Sequence, residues 1–87
     1  MKAQIRLDTM HDAAAFVKIA EKLNGKITVT DSDGMRVNAK SLMGMLYALE
    51  FDSLWCESEN DIYSHIERFV VIWLAPNVIM KWKKLQH

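Results

Sequence analysis

One cysteine, one proline and three glycines are all that 87 residues contain of these types. The lone Cys56 rules out an internal disulfide framework and a cysteine-based zinc site. Glycine is too sparse for a glycine-rich phosphate loop, and no nucleophile elbow or paired-carboxylate constellation occurs. Net charge is missing as well, because 11 basic side chains balance 11 acidic ones. That balance removes any general attraction to nucleic acid or to an anionic membrane. No segment reaches the length of a membrane span. The opening Met1-Lys2-Ala3-Gln4-Ile5-Arg6 alternates in polarity instead of leading into the apolar run of a secretory signal. His11, His65 and His87 are too scattered to suggest a metal site by spacing. These absences predict a cytoplasmic, non-enzymatic chain without cofactor or metal. What is present is apolar content, 51% of the residues, enough for one small domain with a packed core.

The patterning supplies the elements of that domain. Ala3, Ile5 and Leu7 alternate with polar residues, the period of a half-buried strand. Thr9-Met10-His11-Asp12 places an acid three residues after a threonine, a variant of the capping box. Ala13, Phe16, Val17, Ala20 and Leu23 follow at helical spacing, and Asn24-Gly25 is suited to end that helix. Ile27 and Val29 mark a second strand; Asp31-Ser32-Asp33-Gly34 is turn chemistry, and Met35 and Val37 alternate beyond it, which predicts a hairpin. Phe51 to Glu57 reads as a fourth strand. Ser58-Glu59-Asn60-Asp61 repeats the Thr9 signature ahead of a third helix whose apolar stripe is Ile62, Ile66, Phe69, Val70 and Trp73, with Pro76 at its end. Cys56 reads as a buried strand residue.

Between the hairpin and the fourth strand lies Asn38-Ala39-Lys40-Ser41-Leu42-Met43-Gly44. Ser41 stands where a helix begins, with Leu42, Met45, Leu46 and Leu49 on its apolar face, and its hydroxyl is positioned to cap the first turn. The same free amides and the positive end of the helix dipole would accept a phosphate on that hydroxyl. Met43 and Tyr47 fall off the apolar face and could form an exposed contact patch beside Ser41. The order strand, helix, strand, strand, helix, strand, helix predicts an α+β fold: a four-stranded antiparallel or mixed sheet with three helices on one face, βαββαβα. Residues 1–75 form this domain. Residues 76–87 are a basic tail in which Val78, Ile79, Trp82 and Leu85 could share one face, a surface for a membrane, a partner or a homodimer.

Lys40-Ser41-Leu42-Met43-Gly44, after a hairpin and before a short helix, resembles the regulatory-serine segment of HPr, the histidine-containing phosphocarrier of the bacterial sugar phosphotransferase system. Ala13-Ala14-Ala15-Phe16-Val17 is similar to the family's first-helix pattern, and the element order is similar to its open-faced sandwich over about residues 3 to 74. The resemblance implies that Ser41 is the residue modified by HPr kinase. It also implies that Thr9, His11, Lys40, Leu42, Met43 and Tyr47 contact protein partners: HPr kinase, phosphotransferase enzymes or a transcription regulator. One signature departs. Aligned on Ala13 and Ala14, the family's phosphorylated histidine falls on Thr9, its threonine on Met10, its arginine on His11 and its proline on Asp12. Thr9 offers no imidazole, and Asp12 adds negative charge where a phosphoryl group would sit. The expectation is therefore an HPr-like regulatory or adaptor protein, of the kind that keeps the serine, lacks the histidine and acts in catabolite regulation. The alternatives are an active phosphocarrier using His11, and a structural or dimerisation module using the tail.

Overall fold

The alternation near the N-terminus does form a strand, and the computed structural model, which describes residues 1–74, builds the rest of the sheet around it. In chain order the elements are β1 (Lys2–Ile5), α1 (Met10–Glu21), β2 (Ile27–Thr30), β3 (Arg36–Asn38), α2 (Leu42–Ala48), β4 (Leu54–Ser58), α3 (Tyr63–Ile66), a 3-10 turn (Glu67–Phe69) and β5 (Val70–Leu74). The strands form one antiparallel sheet in the order β3-β2-β4-β1-β5. The tail expected over residues 76–87 lies outside the described residues.

Local chemistry accounts for the boundaries. The Thr9 side chain accepts from the Asp12 amide at 3.1 Å, and the Asp12 carboxylate accepts from the Asp8 amide at 3.0 Å, so the start of α1 is held from both directions. Gly25, at φ 88°, supplies the left-handed residue that turns the chain after α1. In the hairpin Asp31 Oδ1 accepts from the amides of Asp33 (2.9 Å) and Met35 (2.8 Å), and Gly34 sits at φ 91°. Met35 belongs to this turn rather than to β3 and is exposed.

The core lies between the sheet and the helices. Ala3 is registered against Cys56, and Cys56 against Val29, so a row of small side chains crosses the inner face. Ala13, Phe16, Val17 and Ala20 of α1, Met45 and Ala48 of α2, and Ile62, Ile66 and Phe69 close over the sheet. Phe16 meets Phe69 edge to face, with ring centroids 5.4 Å apart.

Three expectations are corrected. Among the described residues the sheet has five strands, not four, because the third helix stops at Ile66, far short of Trp73. Its apolar stripe holds through Ile62, Ile66 and Phe69, but Val70-Val71-Ile72 is a β-branched run that fits a pleated surface better than a helix. β1 offers it an open edge, and the register is Lys2↔Leu74, Ala3↔Trp73, Gln4↔Ile72 and, after an irregularity, Ile5↔Val70. The order is therefore βαββαβα with a further strand. Second, Ser58 closes β4 instead of capping α3: its Oγ accepts from the Asn60 amide, while the cap position, Ile62, has no side-chain bond. Third, β4 starts at Leu54, since Phe51 stands in a turn where its ring packs edge-on against Tyr47 at 5.6 Å.

Candidate functional site

Ser41 adopts the extended backbone of a helix cap, with φ −101° and ψ 117°. Its Oγ accepts from the Gly44 amide at 3.1 Å, and its carbonyl accepts from the Met45 amide at 2.9 Å. The segment entering the helix is itself held: Asn38 Oδ1 accepts from the Lys40 amide at 2.9 Å, and the Asn38 carbonyl accepts from the Ser41 amide at 3.0 Å. Gly44 permits this closeness. A Cβ there would stand 3.3 Å from the Cβ of Val37 and 3.4 Å from Ser41 Oγ. In the sequence Gly44 stands within the serine run but is assigned no role, although a glycine inside a helix costs about 1 kcal/mol relative to alanine and calls for a reason.

The faces of α2 sort differently from the expected stripe. Met45 and Ala48 are fully buried, and Leu46 and Leu49 pack at the edge of the core. Leu42, expected on the inner face, is 47% exposed at the first position of the helix. It joins Met43 (84%) and Tyr47 (55%) in an apolar surface on the helix that Ser41 caps. Lys40 has a structural bond in addition: its Nζ donates to the Leu23 carbonyl at 2.8 Å and ties the start of α2 to the end of α1.

At the other helix start, Thr9 is engaged as the cap of α1 and Met10 is exposed. His11 is exposed in the first turn of α1, and among the described residues its ring has no hydrogen-bond partner. It opens on a depression of about 470 Å³ that it shares with Arg6, Asp12 and Arg68. Arg6 Nε is paired with Asp8 Oδ1 at 2.9 Å, and the Arg68 guanidinium lies 4.6 Å from the centre of the Phe69 ring. Neither arginine was singled out from the sequence, since Arg68 reaches α1 only through the packing of Phe69 on Phe16. Cys56 is fully buried in β4, and loss of solvation pushes its thiol up to about 12. It is therefore inert as a nucleophile at neutral pH. His65 is exposed on α3, and among the described residues no three histidine, cysteine or carboxylate side chains converge as a metal site. No helix among them is long and apolar enough to cross a membrane.

Comparison with known proteins matches residues 9–49 to the family model described as the PTS HPr component phosphorylation site. That span runs from the Thr9 cap through the hairpin to the residue closing α2. Among solved structures, the chain is similar to the crystal structure of HPr-C-His from Thermoanaerobacter tengcongensis. The two are 27% identical with a TM-score of 0.57, over 77% of this chain and 81% of that one. No curated protein matches by sequence.

Proposed function

We propose, from the premise that this chain belongs to the HPr family, that it is a regulatory or adaptor protein related to the phosphotransferase system. It binds protein partners through α2 and the start of α1 and is controlled by phosphate on Ser41. The observation that carries this reading is the contrast between the two helix starts. At α2 the serine is a cap with an exposed apolar surface on the same helix. At α1 the position corresponding to the family's phosphorylated histidine is Thr9, whose hydroxyl is occupied as a cap. A phosphate on Ser41 would bring nearly two negative charges to the amide end of α2. Its position next to Leu42 and Met43 makes altered docking, rather than altered folding, the readout. Incubation with HPr kinase and ATP followed by intact mass tests this. One phosphoryl adduct, absent from Ser41→Ala, is expected; no adduct removes the switch and leaves only the cap.

A second reading is favoured by one feature, the placement of Arg68 and Arg6 around the depression onto which His11 opens. Cations there could hold a phosphoryl dianion on an imidazole. Against it stand Asp8 and Asp12 in the same depression, the first already neutralising Arg6. Enzyme I with phosphoenolpyruvate should leave the chain unmodified. An acid-labile adduct lost in His11→Ala would reverse the order of the two readings.

A further inference from the structure

Two depressions follow the seam between α1 and the segment that runs from α3 into the 3-10 turn. One, about 340 Å³, has Lys18, Lys22 and Leu23 on one side and His65 on the other. The second, about 470 Å³, continues toward His11 with Ala15 facing Arg68 and Phe69. The spacing explains the alignment. His11, Ala15, Lys18 and Lys22 recur every three or four residues and share one face of α1. His65 and Arg68, three apart, face them across the seam.

The chemistry of this seam is apolar below and positive above. Ile19, Leu23 and Val70 pack against the core and form its floor. The ion pairs among the described residues involve Lys2, Arg6 and Arg36, so Lys18, Lys22 and Arg68 have no carboxylate partner there. The two carboxylates that line the seam, Asp8 and Asp12, stand at its His11 end. Both are engaged, one with Arg6 and one with the Asp8 amide. Three uncompensated cations over an apolar strip complement a segment that carries carboxylates on one side and aliphatic side chains on the other. The chain's own residues 75–87 have the wrong sign for it, with Lys81, Lys83 and Lys84 and no aspartate or glutamate.

We propose that the α1–α3 seam is a second docking surface, separate from the Ser41 helix, and that its occupant is an acidic amphipathic segment of a partner protein. The test is titration of the isotope-labelled full chain with a synthetic amphipathic peptide of glutamate, leucine and alanine. The control peptide carries lysine in place of every glutamate. Amide shifts should concentrate at Lys18, Lys22, His65 and Arg68, and only the acidic peptide should bind. The Lys18→Glu/Arg68→Glu double variant should weaken binding at least about tenfold, a difference of about 1.4 kcal/mol. Met43→Asp should leave the affinity within about twofold of wild type. The neutral pair Lys18→Gln/Arg68→Gln, with an intermediate loss, separates charge from misfolding. Shifts confined to α2, equal binding of both peptides, or indifference to charge reversal would overturn the proposal. So would vesicles of phosphatidylcholine and phosphatidylserine that bind the chain through Lys18 and Arg68 when the peptide does not. Kinase modification of Ser41 in the double variant is read separately, so this surface and the Ser41 switch can fail independently.

Discussion

Replacing Ser41 by alanine removes one hydrogen bond, and its consequence can be worked from the local geometry. The Gly44 amide loses its acceptor at 3.1 Å, and the helix that depends on it is only seven residues long. No acidic side chain stands in its first turn to compensate the exposed amides. Water can reach the site, because Ser41 is half-buried, so the full cost of an orphaned buried donor does not apply. The expected loss is about 1 kcal/mol, within the range for removing a serine cap. In a domain of this size that lowers the melting midpoint by about 4–8 °C. Ser41→Asp should behave differently: aspartate caps as well as serine, and its charge suits the amide end of the helix, so stability should stay within about 0.5 kcal/mol of wild type. Urea unfolding of the three proteins, followed by far-ultraviolet circular dichroism, measures both differences. Alanine indistinguishable from wild type, or aspartate as damaging as alanine, would refute the reasoning that this helix start welcomes negative charge.

Other consequences are independent of that site. Phe16 is fully buried against Phe69, so Phe16→Ala should cost about 3–5 kcal/mol in urea unfolding, against less for Phe16→Leu. Lys40→Met should cost about 1–2 kcal/mol by leaving the Leu23 carbonyl without its charged donor, and hydrogen exchange should quicken at the end of α1. The Cys56 thiol ionises at about 12 when folded, against 9.0 for the ordinary group, so the unfolded chain releases this proton first. Stability contributed by the neutral thiol is full below about pH 9 and declines by about 1.4 kcal/mol per pH unit up to about 12. That slope should appear as a difference between wild type and Cys56→Ala in unfolding series from pH 8 to 11.

The parts of the fold legible in the sequence are those written in short-range chemistry. Thr9 with Asp12, Asn24-Gly25, the Asp31–Gly34 turn and the Ser41 cap each concern residues within four positions of one another. The two caps open their helices as expected, while α1 ends at Glu21, ahead of Asn24-Gly25, and the hairpin turn takes in Met35. The C-terminal half of the expected third helix was not legible. Ile62, Ile66 and Phe69 satisfy a helical period, and Val70 and Trp73 extend it on paper. The deciding fact is the open edge of β1, more than 60 positions away in the chain, to which Val70–Leu74 pairs. Leu42 shows a similar limit: its spacing from Met45 places it on the inner face, but at the first position of α2 it stands 47% exposed. The bond from Lys40 to the Leu23 carbonyl and the meeting of Arg68 with the His11 face depend on how helices pack, which no local pattern encodes.

The proposed control acts at the serine-capped start of α2 and not at a histidine on α1. The most direct measurement divides one preparation between HPr kinase with ATP and enzyme I with phosphoenolpyruvate, then locates any phosphoryl group by intact mass and fragmentation. A single phosphoryl group on Ser41 is expected in the first reaction and none in the second. A phosphoryl group on His11 in the second reaction, with Ser41 unmodified in the first, would contradict the proposed control.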